Sequence, residues 1–218
     1  MKTIITSSLL LLAAAPALAG DYQADYDPVP EINGCKLDRK AECPGVDLSG
    51  ADLSNLNLRE ANFRGANFEG ANLSHTGLRG ANLDGANLDN VTGYRVQLYR
   101  ASMRGASARN AELQGLEGQY LFAQGADFSG ANLAGANFDH SRFSGATLRN
   151  ADLTFSSFEI SWLPKADLFG ANLTGANLQE AKLGRANLAE ANMTAARIHY
   201  ATFEGTYMEG CTACPFDW

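Results

Sequence analysis

The chain has 218 residues, 24 acidic against 17 basic side chains and a formal charge of −7. That balance excludes a protein that grips a phosphate backbone over its whole surface. A hydrophobic share of 45% excludes a chain too polar to build a core.

Residues 1–19, MKTIITSSLLLLAAAPALA, carry one early Lys, a Leu/Ala-rich stretch and a final Ala-Leu-Ala. This pattern predicts a secretory signal peptide cut before Gly20, hence a periplasmic or extracellular protein. The stretch is too short for a membrane span, and no other stretch is continuously apolar. Residues 20–34, GDYQADYDPVPEING, are acidic and hold two prolines, which predicts an extended arm. Cys35 and Cys43 precede a repetitive region and Cys211 and Cys214 follow it. They predict an N-terminal cap over 35–45 and a C-terminal cap over 211–218, in a compartment where disulfides persist.

From Val46 to Gly210 the chain divides into 33 consecutive pentapeptides. The third position is Leu, Phe, Met or Ile in 29 of them and the first is Ala in 22, so both are inward candidates. Apolar steps of two and three would smear around a helix and leave no buried stripe. A long strand needs unbroken alternation, which fails every five residues. What survives is a short extended pair with both apolar side chains inward, then a turn for which Gly and Asn are suited. Ala41-Glu42-Cys43-Pro44-Gly45 is a degenerate block in the same register. The stretch 111–128, AELQGLEGQYLFAQGADF, keeps the register without an insertion. There a large first residue (Leu116, Leu121) meets a small third one (Gly118, Ala123), and Val91 with Gly93 follows the same rule.

Blocks such as Ala81-Asn82-Leu83-Asp84-Gly85, repeated without gaps, resemble the pentapeptide-repeat family. The resemblance implies an all-β fold: a right-handed quadrilateral parallel β-helix with four pentapeptides per coil, here about eight coils over 46–210. Strand spacing makes such a stack roughly 40 Å tall. A disulfide needs Cα atoms within about 7 Å, so on this architecture the intrachain pairs are Cys35–Cys43 and Cys211–Cys214.

With twenty residues per coil, blocks twenty apart share a face. The face from Val46 then sums to −5, with Arg109 and Arg149 among seven acids. The face from Ala61 sums to +4, through Arg64, Arg104, Arg142, Lys165, Lys182 and Arg185 against Asp84 and Glu204. On this basic face Phe122, Arg142, Trp162 and Lys182 fall in one second-position column. An aromatic–cation ladder of this kind is a candidate contact for a protein or an anionic or sugar-like ligand, or else a stack of its own side chains.

No catalytic constellation emerges. His75, His140 and His199 are too scattered to form a metal site or a triad, and no phosphate or dinucleotide motif is present. The expectation is a non-enzyme without cofactor or metal. It would be an extracytoplasmic scaffold whose partner is a protein or an envelope or extracellular polymer, acting as a monomer or as an end-to-end or face-to-face dimer. Direct nucleic-acid binding is not expected. The family also implies an alternative, a DNA mimic that binds type II topoisomerases. Cys211-Thr212-Ala213-Cys214 gives a further one, a thiol–disulfide protein.

Overall fold

The computed structural model describes residues 29–215. The expected signal peptide, the arm up to residue 28 and residues 216–218 of the C-terminal cap lie outside them. No helix among the described residues is long and apolar enough to cross a membrane.

The first element is a hairpin. Strand β1 (Glu31–Ile32) pairs antiparallel with β2 (Cys35–Lys36), Glu31 opposite Lys36 and Ile32 opposite Cys35. The turn is Asn33-Gly34, with φ of 51° and 77°. Positive φ at both central residues is the geometry that Asn-Gly supplies best. Residues 31–34, expected within an extended arm, are therefore ordered by their own turn. A Cys35–Cys43 disulfide, Cα atoms 5.6 Å apart, ties the hairpin to the first repeat block.

From Glu42 on, each second-position residue forms a parallel bridge with the residue twenty positions later, from Glu42↔Asn62 to Asn192↔Thr212. The twenty-residue period is thus explicit. The ladder starts at the degenerate block 41–45 and runs past Gly210 to Thr212, so the repeat region is wider than 46–210. The bridges cross 111–128 without a slip, through Glu112↔Asn132, Glu117↔Asn137 and Phe122↔Arg142.

One block shows why these residues make this structure. Ala61 and Phe63 point inward and are fully buried. The Phe63 amide donates to the Asn82 carbonyl at 2.8 Å, Asn82 donates to Ala61 at 2.9 Å, and Gly65 donates to Asp84 at 2.9 Å. The Ala66 amide closes the turn on the Phe63 carbonyl at 3.0 Å. The fourth amide of the block goes to a side chain: Arg64 donates to Asn62 Oδ1 at 3.3 Å. Asn or Asp stands second because its oxygen accepts this amide, an Asx turn. Asn side chains also bond between coils, as Asn87 Nδ2 does to Asn67 Oδ1 at 3.1 Å. Every fifth residue from Lys40 to Gly210 has positive φ, which is why Gly dominates that position.

The interior is one continuous column of first- and third-position side chains. Leu133, Leu153 and Leu173 stack within it, each at most 1% exposed. The size exchange at 116–118 is real: a Cβ added to Gly118 would sit 2.7 Å from Leu116 Cδ2 and 2.9 Å from Phe138 Cδ1. At Gly93 the filling side chain is Val96, from the next block, at 2.5 Å, rather than the expected Val91.

The face that sums to −5 is partly neutralised within itself. Arg109 Nη2 lies 2.5 Å from Asp89 Oδ2, and Arg149 Nη1 lies 2.8 Å from Asp167 Oδ2. Burial would raise the Asp89 carboxyl, but bonds from the Arg109 guanidinium, the Ser107 hydroxyl and the Arg109 amide outweigh it and hold it below the usual range. Because its folded pKa is depressed, its contribution is complete above the unfolded value of about 4 and fades as pH falls through the lower folded value. Asp89→Asn should therefore unfold earlier in urea at neutral pH, and the gap to the native chain should narrow steadily towards about pH 2.

Candidate binding groove

A repeat protein supplies its own reference, because each coil shows what a position ordinarily holds. Departures occur on every face, but those at one corner, between the block that starts at Leu116 and the block that starts at Leu121, and one and two coils further on, bring large side chains together. Fifth positions there carry Tyr120, His140 and Ile160 in place of Gly, and second positions carry Phe122, Arg142 and Trp162 in place of Asn or Asp. First positions behind them carry Ser141 and Ser161 in place of Ala, both buried.

The serines stiffen this corner from inside. Ser141 Oγ donates to the Gly118 carbonyl at 2.8 Å and accepts the Leu121 amide at 2.9 Å. Ser161 Oγ repeats this one coil on, donating to Phe138 at 2.6 Å and accepting the Ser141 amide at 3.0 Å. Each buried hydroxyl is thus satisfied as donor and acceptor. Deeper still, Phe143 lies against Phe128, Phe138 and Phe158, with ring centroids 5.0–5.9 Å apart.

Outside, the corner forms an open groove of about 630 Å³, lined by Tyr120, Gln124, His140, Arg142, Ile160 and Trp162 together with Ser141 and Ser144. The Tyr120 and His140 rings stack at 4.8 Å, 8° from parallel. Arg100 caps Tyr120 at 5.6 Å and also lies 5.2 Å from the Tyr99 ring. Trp162 is 55% exposed and has no ring or cation partner among the described residues.

Of the four residues expected in a column, bridges do join Phe122, Arg142, Trp162 and Lys182 in that order. Their roles divide. Arg142 and Trp162 line the groove. Phe122 sits between two guanidinium groups, Arg104 at 4.7 Å and Arg142 at 5.5 Å, and supports the wall without lining it. Lys182 continues the column beyond the groove. Tyr120, His140, Ile160, Gln124 and Ser144 complete the site, and the sequence signal for them is the missing fifth-position Gly on one face beside the missing Asx on the next.

Two polar features of the groove lack protein partners. Gln124 Oε1 is buried without a hydrogen-bond donor. The amides of Gln124 and Ser144 are fourth-position amides, but Phe122 and Arg142 cannot accept them as Asn62 accepts Arg64. Nor does a carboxylate from the coil below step in, as Asp84 does for the Arg104 amide at 2.9 Å.

Ile160 holds φ at 56°. For a β-branched residue this left-handed conformation is an outlier, costing roughly 1–2 kcal/mol. Its side chain is 44% exposed, so little burial offsets that cost. Ile160→Gly is expected to raise stability by about 0.5–1 kcal/mol, read as a higher urea midpoint.

The Cys211–Cys214 pair forms the second disulfide, Cα atoms 5.8 Å apart, with both residues buried. Burial removes the access that thiol exchange requires. No group of three or more His, Cys, Asp or Glu among the described residues could hold a metal ion.

These features define a parallel β-helix of five-residue units with a groove at this corner. The chain belongs to the pentapeptide-repeat family, whose model matches in 8 copies over residues 41–80, 78–115, 124–159 and 163–210. With membership comes the right-handed, four-sided form of the helix. The matched segments leave out 116–123 and 160–162, which contain Tyr120, Phe122, Ile160 and Trp162. Among solved structures the chain is similar to HetL, a pentapeptide repeat protein involved in heterocyst differentiation regulation from the cyanobacterium Nostoc. The two are 26% identical over 78% of this chain and 88% of that one, with a TM-score of 0.52. It is also similar to Rfr23 from the cyanobacterium Cyanothece, at 30% identity over 42% of this chain and 63% of that one, TM-score 0.41. QnrB1, a plasmid-mediated fluoroquinolone resistance protein, shares 21% identity over 77% of this chain and 89% of that one, TM-score 0.42. No curated protein matches.

Proposed function

We propose that this chain is an exported, non-catalytic interaction scaffold that engages its partner through the corner groove. The observation that carries the reading is the groove itself, where Tyr120, His140, Arg142, Ile160 and Trp162 come together and where the family match lapses at 116–123 and 160–162. A filled solenoid has no interior cavity for chemistry, so function sits on its walls. The two disulfides and the residue pattern of 1–19 support the periplasm or the outside.

The test restores the repeat. Arg142→Asn with Trp162→Asn returns the family's usual second-position residue and should leave the fold intact. Capture of the partner from the envelope fraction with the mature protein should fail for this variant and persist for a control changed at Lys182. Equal capture by both, or cleavage-free recovery of the chain from the cytosol, overturns the reading.

A further inference from the structure

Resting on that scaffold reading, we propose that the groove is a subsite for a polysaccharide bearing carboxylates, a uronate polymer. Its carboxylate would take the place that the second-position Asx side chain fills elsewhere on the helix.

Four observations converge. The Asx turn shows what can satisfy a fourth-position amide, an oxygen held just outside the wall, as Asp152 Oδ1 is for the Thr154 amide at 3.0 Å. In the groove the Gln124 and Ser144 amides are one coil apart and carry no such oxygen, and Arg142 lines the same groove. Amides with a guanidinium are a carboxylate site, because charge-assisted bonds from a planar fork suit two oxygens. Next, the exposed Trp162 face and the Ile160 side chain offer an apolar floor on which the C–H face of a pyranose ring can lie. Third, Gln124 Oε1 is buried without a donor, and a turn of this flexible side chain into the groove would let a sugar hydroxyl supply one, which a phosphate diester does not.

The fourth observation narrows the class. An extended peptide usually binds a sheet by adding a strand to a free edge. Here the wall has none, since the backbone of each coil pairs with the coils on either side: Phe143 donates to Trp162 at 2.7 Å and Trp162 to Ser141 at 2.9 Å.

The experiment uses the mature full-length protein with Trp218→Phe, so that fluorescence reports Trp162 alone. Oligogalacturonate is titrated against it, with methyl-esterified oligogalacturonate, poly-glutamate and oligothymidylate as parallel probes. Oligogalacturonate is expected to bind and shift the emission, with each of the other three at least tenfold weaker. Trp162→Asn, followed by calorimetry, should weaken binding at least tenfold. The decisive pair is Phe122→Asn against Phe122→Ala. Asn supplies its own oxygen to the Gln124 amide and competes with the ligand, so it should bind severalfold more weakly than Ala.

Failure of oligogalacturonate to bind, equal binding of the ester, or equal affinities for the two Phe122 variants overturns the proposal. Equal or tighter binding of poly-glutamate or oligothymidylate replaces the sugar with an acidic peptide or a phosphate polymer and overturns it too. If the sugar fails while envelope capture still depends on Arg142 and Trp162, the scaffold reading stands and this inference alone falls. If both fail, both fall.

Discussion

Phe143→Ala is expected to cost about 3–5 kcal/mol, the range for deleting a fully buried aromatic ring. Phe143 is 0% exposed and touches three other phenylalanines, Phe128, Phe138 and Phe158. Those rings come from separate blocks, so the cavity cannot close by moving one segment. Phe143→Leu should cost far less, since Leu is the ordinary third-position residue and Leu163 holds the same place one coil further on. Urea unfolding of the three proteins checks both statements, and similar midpoints for the Ala and native chains would place Phe143 outside the core. The ring also backs Arg142 and Ser144, so the Ala variant should lose groove affinity even where it remains folded.

The second large effect is a pair of changes that cancel. Leu116→Ala alone removes the side chain that fills the space above Gly118, at an expected cost of about 2–4 kcal/mol. Gly118→Leu alone drives a side chain into Leu116 and Phe138, at an expected cost of about 1–3 kcal/mol. Together they write Ala-Glu-Leu, the ordinary arrangement of the helix, and the double variant should recover most of the loss. Coupling of this size marks residues sharing one volume. Simple addition of the two losses would mean that Leu116 and Gly118 do not exchange space.

The inward positions could be read from the sequence because Ala first and Leu or Phe third recur where nothing else does. The turn was readable from Gly. What five-residue periodicity could not supply was the coil, because four blocks per turn is a property of backbone pairing and leaves no mark on a single block. That Asn or Asp would bond the local backbone was legible from residue type; which amide it accepts was not, since Arg64 to Asn62 is a bond rather than a pattern. Asn33-Gly34 carried a legible hairpin signal that the acidic surroundings obscured. At Gly93, side-chain lean brings Val96 rather than Val91 into the gap, which residue order does not reveal. The column from Phe122 to Lys182 was legible as a column, but the groove beside it was not. Sorting residues by face separated Arg142 and Trp162 from Tyr120, His140 and Ile160, which belong to the adjoining face and meet them only across the corner.

Pairing between residues twenty apart has a consequence for how such a chain can change length. Removing twenty residues, for example 61–80, would bring the groove one storey closer to the hairpin while keeping its orientation. Removing five would turn everything downstream by a quarter turn and set the groove over a different wall of the coils below. Gene slippage in whole coils therefore alters reach, whereas slippage in single blocks alters direction. A lineage of such proteins could tune the distance between its hairpin end and its groove without redesigning either.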